Sequence, residues 1–166
     1  MMMYTVDILR SEISFTVKLL NTEVKGAFDS FSSSLQVETL EELSNAVIEI
    51  EIDAASLNTN EPIRDQHLKS ADFFHTDLYP KIYFKKTSII KRTDFEYLLT
   101  GQLTIKNIIK PITFNVVQIP SNTPTFVCTT KINRNDFDLV YNPIFEKMNQ
   151  LSEIVHIRVQ FTVVPN

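Results

Sequence analysis

Apolar and polar residues alternate along most of this chain, a pattern typical of strands with one buried face. The segment 13–19, ISFTVKL, shows the period of two clearly. Because successive strand residues point to opposite sides, each such segment presents one apolar and one polar face. About eight segments of this kind predict an antiparallel sheet. They fall at residues 13–19, 31–37, 46–52, 82–84, 99–105, 112–116, 126–132 and 155–163.

The edges of such a sheet favour closure. A long antiparallel sheet leaves unpaired backbone groups on both edge strands, and curling into a barrel removes them. We therefore predict an all-β fold, a closed antiparallel barrel of about eight strands, in a single domain over residues 1–166. A barrel of this size either is filled by its own side chains or holds one small ligand. Ser33, Gly101 and Thr130 on the inward side leave space and favour a ligand, with the filled interior as the alternative.

One segment interrupts the alternation. In residues 58–70, NTNEPIRDQHLKS, Glu61 supplies a polar cap and Pro62 an early helical position, which is a common helix start. Pro80 prevents the helix from continuing. The spacing predicts a short helix within residues 60–70, as an excursion from the sheet. Residues 142–153 favour either a short helical turn or a long hairpin loop.

Composition narrows the function classes. A formal net charge of −4 over 166 residues, without a basic patch, argues against a nucleic-acid partner. No segment approaches the roughly 20 apolar residues of a spanning helix, so no integral membrane segment is predicted. The amino terminus does not read as a secretory leader, which predicts a cytoplasmic location, or a periplasmic one if a leader has been removed. The single cysteine, Cys128, suits a reducing compartment.

Candidate catalytic chemistry is weak. His67 lies near Asp65 and Asp72 in sequence, but residues two apart on a helix do not face each other, so a structural histidine is favoured over an acid–base role. The three histidines lack zinc-site spacing, and Cys128 alternates with apolar residues as an inert buried thiol would. No catalytic residue, metal or cofactor is predicted.

Several motifs in order resemble the YceI-like family of bacterial, lipocalin-like antiparallel barrels that bind polyisoprenoid and other long-chain lipids. The similarity runs nearly end to end. The block at residues 52–84, with its RDxHL and ADFF elements, is the most diagnostic part. The motifs are YTVD (4–7), ISFTVKLL (13–20), VKGAFDSF (24–31), the block 52–84, LTGQLTIKNIIKPITFNV (99–116) and TKINRNDFDL (130–139).

Three positions depart from the glycines usual in that family. Asn107 and Asp138 tolerate left-handed backbone, so their turns are expected to survive. Ser33 instead adds a side chain where the family leaves room, which affects cavity size. The resemblance implies that the excursion is structural. Arg64 and Asp65 would anchor it, with Asp65 or Asp136 as the expected carboxylate partner of Arg64.

The hypothesis that follows is non-enzymatic binding, carriage or sequestration of an elongated apolar lipid, isoprenoid-like or a fatty amide or acid. An enzyme acting on an isoprenoid or quinone-like lipid and a filled-barrel interaction module are the alternatives. Leu68, Phe73 and Phe74 of the excursion should pack downward, with a ligand-facing role open to the phenylalanines. The expected partner is a long-chain apolar small molecule, and a homodimer is left open. Alternation nominates as ligand-binding residues Phe15, Val17, Phe28, Ile48, Ile50, Phe84, Leu103, Ile105, Phe114, Phe126 and Ile132.

Overall fold

Ten strands and two short helices make up the computed structural model, which describes residues 4–165. All strands belong to one sheet with the spatial order β3-β4-β6-β7-β8-β9-β10-β1-β2-β5, and every pairing is antiparallel. The strands are β1 (Tyr4–Leu19), β2 (Thr22–Phe28), β3 (Phe31–Gln36), β4 (Val47–Asp53), β5 (Leu57–Asn58), β6 (Lys81–Thr93), β7 (Glu96–Ile105), β8 (Ile108–Ile119), β9 (Thr125–Asn133) and β10 (Leu151–Pro165).

The predicted all-β, antiparallel, lipocalin-like fold is confirmed, but full closure and the count of about eight strands are not. The sheet curls until β1 and β3 are in contact, yet no ladder of hydrogen bonds joins β3 to β1, β2 or β5 within residues 4–165. At the turn from β2 to β3, the Asp29 amide donates to the Ser56 carbonyl and the Ser30 carbonyl accepts from Asp53. The backbone groups of this turn therefore have partners outside a ladder. An unpaired junction, which we call the seam, remains between β3 and β1.

Alternation along β7 shows how the sequence determines the inward face. Its residues Tyr97, Leu99, Gly101, Leu103 and Ile105 are buried, whereas the residues between them are partly buried or exposed. The pleat turns successive side chains to opposite faces, so the apolar half of the pattern falls inside the curl. The hydrophobic core accordingly lies within the curled sheet.

The helices are α1 (Pro62–Lys69) and α2 (Pro143–Met148). The predicted helix within residues 60–70 is confirmed, although Glu61 makes no capping bond with its side chain. Within the segment 142–153, residues 143–148 form the helix α2, whose start is capped by the Asn142 side chain accepting from two backbone amides, and the last residues already belong to β10. Within residues 4–165, neither helix has the length and apolar character needed to cross a bilayer.

Two turns have the predicted backbone. Asn107, between β7 and β8, has a φ of 62°, and Asp138, after β9, has a φ of 54°. Both lie in the left-handed region, where asparagine and aspartate are tolerated better than most other side chains. The turns therefore form without the glycines expected there from the family resemblance.

Candidate ligand-binding cavity

A cavity of about 290 Å³ lies inside the curl of the sheet. Its lining comes from inward residues of the strands together with parts of α1, α2 and the segments that follow them. Ten of the eleven residues nominated from the alternation line it, and whether they contact a ligand stays a prediction. These ten are Phe15, Val17, Phe28, Ile48, Ile50, Phe84, Leu103, Ile105, Phe114 and Ile132.

The eleventh residue, Phe126, lies behind the lining. Its side chain is only 2% exposed, and its ring stacks on that of Phe161 with centroids 5.1 Å apart and an interplanar angle of 19°. Phe161 is the ring that faces the cavity. Alternation correctly assigns Phe126 to the apolar face, but the ring of Phe161 on the neighbouring strand covers it.

The lining has two differently buried sides. The packed wall consists of five residues of β6 and β7 that are almost fully buried. The open wall consists of five residues of β1 and β10 that also line the cavity but are only partly buried. The packed wall is Ile82, Phe84, Leu99, Leu103 and Ile105, and the open wall is Phe15, Val17, Leu19, Val155 and Ile157.

The cavity reaches solvent beside α1 and α2. Tyr141 and Phe145 line it although they are 43% and 54% exposed. The ring of His67 lies edge-on to Tyr141 at 4.8 Å and to Phe73 at 5.2 Å, and Tyr141 lies 6.1 Å from Phe145. We call these four residues the mouth cluster. The cluster joins the α1 segment to the α2 segment across the opening of the cavity.

The α1 segment is anchored by a polar network. Arg64 donates from Nε to the Thr59 hydroxyl at 2.9 Å and from a terminal nitrogen to the Thr59 carbonyl at 3.0 Å. Asp65 accepts from the amide and the hydroxyl of the same threonine. The anchoring role expected for Arg64 and Asp65 fits this geometry. The expected partner was wrong, because the carboxylate that pairs with Arg64 is Glu61, at 3.1 Å.

The α2 segment is held by a buried ion pair that the sequence did not reveal. Arg134 and Glu146 pair at 3.1 Å, with side chains 7% and 9% exposed. Arg134 also donates to the carbonyls of Leu139 at 2.6 Å and Ser152 at 2.8 Å, and Glu146 accepts from the Tyr141 amide at 2.9 Å. These bonds tie together both ends of the segment from Leu139 to Ser152, which contains α2. The sequence signal for this pair is an arginine directly after a strand and a glutamate within the next helix. This combination is too common to have identified an ion pair.

Polar and ionisable groups at the cavity already have partners within the protein. His67 Nε2 lies 2.9 Å from Asp72 Oδ2, with both side chains partly exposed at the mouth. Ser14 donates to the Arg158 carbonyl, and no buried side-chain nitrogen or oxygen within residues 4–165 is left without a partner. Burial raises the pKa of the Cys128 thiol to about 12, so the thiol is neutral and unreactive at ordinary pH. The interior therefore presents hydrocarbon to a ligand.

A second, much smaller cavity of about 20 Å³ lies beyond one end of the first. Ser33 lines this second cavity and is absent from the lining of the first. The side chain that replaces the expected glycine therefore affects the far chamber and leaves the main cavity unobstructed.

Comparisons with known proteins agree with this architecture. The profile of the YceI-like domain matches residues 4–163. A UPF0312 protein of Staphylococcus aureus strain N315 is 32% identical over 152 residues, covering 86% of this chain and 85% of that protein. The crystal structure of Burkholderia cenocepacia BcnA aligns with a TM-score of 0.87 at 25% identity, over 96% of this chain and 99% of the other. A polyisoprenoid binding domain from Saccharophagus degradans aligns with a TM-score of 0.69 at 15% identity, over 96% and 97% of the two chains.

Proposed function

We propose that this protein, which belongs to the YceI-like domain family, holds the hydrocarbon part of an elongated apolar lipid in its cavity and carries or sequesters it unchanged. The observation that carries the proposal is a cavity of about 290 Å³ with hydrocarbon walls and an opening at one end. Ligand pockets in proteins commonly begin near this volume, at roughly 300 Å³. Isoprenoid-like chains, fatty acids and fatty amides match the apolar lining.

The physical basis of affinity would be the transfer of apolar surface from water, at about 25 cal/mol per Å². Such burial depends little on the detailed chemistry of the chain. Arg134 and Glu146 bond to each other and to backbone groups, and Arg64 bonds to Thr59 and Glu61. Because these groups are engaged, we expect the tail to determine binding and the polar head group to remain at the mouth. The name of the Saccharophagus degradans domain, polyisoprenoid binding, supports the same ligand class.

The first experiment asks whether the cavity is the binding site. Ile157 lies on the open wall, and its neighbour His156 is an exposed residue of the same strand. Ile157→Trp should fill part of the cavity and lower the affinity for farnesol or a fluorescent polyene fatty acid at least tenfold. His156→Trp, the matched control, should bind like the wild type. Equal binding by both variants would place the ligand elsewhere.

Native mass spectrometry of the freshly purified protein, followed by organic extraction, tests for a resident lipid. The carrier proposal predicts a mass above that of the polypeptide and an apolar compound in the extract. Persistent absence of lipid, also after incubation with isoprenoids, would favour the alternative of a filled-barrel interaction module.

The contact between His67 and Asp72 is the observation that favours the second candidate, an enzyme acting on a bound lipid. The two groups lie 2.9 Å apart at the cavity mouth, within the range needed for acid–base catalysis. His67→Gln keeps a hydrogen-bonding side chain but cannot exchange a proton near neutral pH. The carrier proposal predicts unchanged binding and recovery of unmodified lipid from both proteins. A lipid conversion that is lost in this variant would establish the enzyme instead.

Two further questions concern the setting of the protein, namely its location and its oligomeric state. A cytoplasmic location stays a prediction, tested by fractionating cells that express the native gene. A homodimer is left open by the sequence, and analytical ultracentrifugation across a range of concentrations tests for it.

A further inference from the structure

The wall between the main cavity and the small second cavity consists of side chains that line both. Five residues are shared by the two linings, from β1, β4 and β10. Phe161 has the largest side chain of this set, is only partly buried and borders both cavities. The shared residues are Ile13, Ile48, Ile50, Val159 and Phe161.

We infer that Phe161 is the end wall of the lipid site and sets the length of hydrocarbon chain that the site accepts. This inference rests on the proposed function. The small second cavity, which we call the far chamber, would then hold the terminal segment of a linear saturated or isoprenoid chain that is too long for the main cavity alone.

The strand pairing explains why Phe161 separates the chambers. β1 and β10 pair without interruption from Val17 opposite Val155 to Glu12 opposite Gln160, and pairing resumes only with Asp7 opposite Thr162. Phe161 therefore faces a bulge in β1 and has no paired residue there. Within the bulge, Ser11 donates to the Asp7 carbonyl at 2.7 Å and accepts from the Thr162 amide at 3.2 Å. The bulge interrupts the pairing of β1 with β10 beside Phe161, and Ser11 of the bulge lines the small chamber.

Phe126 holds the end wall in position. It pairs with Phe161 across β9 and β10, and the two rings are stacked. Since Phe126 is buried and lines neither cavity, its ring limits the movement of Phe161 without meeting the ligand itself. Phe126 is therefore a positioning residue for the end wall.

Beyond the wall, Phe31, Ser33 and Leu35 of β3 line the far chamber. Phe31 and Leu35 would offer apolar contacts to the last carbons of a chain. The Ser33 hydroxyl occupies part of the small volume, which limits how far a chain could extend.

The test is a titration of the wild type and Phe161→Ala with straight-chain alcohols of increasing length. Each methylene that enters the cavity should raise affinity about fourfold, as expected from about 0.8 kcal/mol per methylene. The rise should stop where the chain meets the end wall. In Phe161→Ala this break point should move to chains at least two carbons longer.

Phe15→Ala is the matched control, because Phe15 lines only the main cavity and is also partly buried. This variant should change affinity at all lengths but keep the break point of the wild type. Phe126→Leu should move the break point in the same direction as Phe161→Ala, by a smaller amount. If Phe126 had only a structural role, Phe126→Leu would lower stability without moving the break point.

An unchanged break point in folded Phe161→Ala, or no break point in the wild type, would overturn the end wall and leave the proposed function standing. Failure of the wild type to bind any chain would overturn both. Circular dichroism establishes that each variant is folded. If Phe161→Ala does not fold, Phe161→Leu replaces it and should shift the break point by at least one carbon, and no shift there would also overturn the inference.

Discussion

The packed wall on β6 and β7 and the open wall on β1 and β10 have the same alternating sequence pattern but different surroundings. Inward side chains of the packed wall are almost fully buried, whereas those of the open wall are partly exposed to the cavity. A side chain that faces free space makes fewer dispersion contacts than one packed on all sides. The packed wall therefore contributes more to stability, and the open wall is available for a ligand.

The two glycines of the chain show the same difference. A methyl group added at Gly101, on β7, would collide with the Phe84 ring and with the backbone oxygen of Lys85. At Gly26, on β2 beside the open wall, the three atoms nearest to an added methyl group all belong to the Phe15 ring. The Phe15 ring has the cavity beside it and can move, whereas the Lys85 backbone is fixed in the sheet by pairing with β4 and β7.

The largest effect on stability is expected at the buried ion pair of Arg134 and Glu146, which holds the α2 segment at the open side of the cavity. Arg134→Ala leaves the Glu146 carboxylate buried without its cation, so the free energy of unfolding should fall by about 3–5 kcal/mol. Urea denaturation measures this loss. Lys85→Ala, which removes an exposed partner of Glu49, is the control and should cost less than about 1 kcal/mol. Similar small losses in both variants would contradict the structural role of the buried pair.

A matched pair of leucines compares the walls directly. Leu99→Ala on the packed wall should lower the free energy of unfolding by about 3 kcal/mol, within the range of buried leucine truncations. Leu19→Ala on the open wall should cost only about 1 kcal/mol, because the side chain already borders free space. Chemical denaturation of both variants tests the comparison. Equal losses would mean that the open wall is as tightly packed as the other.

Substitution of the two glycines should give a smaller contrast. Gly101→Ala should cost about 1–3 kcal/mol, typical of overpacking against atoms that cannot move. Gly26→Ala should cost less than about 1 kcal/mol, since the Phe15 ring can shift into the cavity. The same shift should weaken lipid binding. If Gly26→Ala lowers stability as much as Gly101→Ala does, the Phe15 ring is not free to move.

Near neutral pH, the smallest effect on stability is expected at Cys128, a buried cavity-lining residue of β9. Its raised pKa of about 12, compared with an ordinary value of 9.0, should slow alkylation by iodoacetamide at pH 8 roughly thousandfold relative to the unfolded chain. The thiol ionises at a lower pH in the unfolded chain than in the folded protein. The free energy of unfolding therefore keeps this contribution in full below pH 9 and loses it as the pH rises toward 12. In Cys128→Ala, the free energy of unfolding should fall less between pH 9 and pH 12, because no thiol is present to ionise. Equal alkylation rates for native and unfolded protein would show that the thiol is not protected.

Sequence reasoning predicted the sheet well because a period of two determines which side chains share a face. Ten of the eleven nominated residues line the cavity for that reason. The pattern could not show that Phe161 covers Phe126, because both are inward residues and only their positions in space distinguish them. It also could not separate the packed wall from the open wall, since burial depends on what lies opposite in three dimensions.

Contacts formed by the connecting segments were harder to predict. Arg134 and Glu146 are twelve residues apart and meet only because the chain folds back between Leu139 and Ser152. The Glu61 partner of Arg64 was local, but several acidic residues in the sequence could have served equally well. Barrel closure was overestimated because the edge argument does not account for a turn whose backbone groups find partners outside the sheet ladder.

The seam between β3 and β1 makes the curled sheet an open ring, which can change its circumference more easily than a closed barrel. In a fully closed barrel, a wider circumference requires breaking interstrand hydrogen bonds, because every strand is held on both sides. Here β3 is held in a ladder by β4 alone, and its other side touches β1 without a ladder. Widening at the seam would break the single bond from the Tyr4 amide to the Val37 carbonyl, but all nine strand pairings would persist. A bulky guest would then be accommodated by elastic spreading, with little loss of secondary structure.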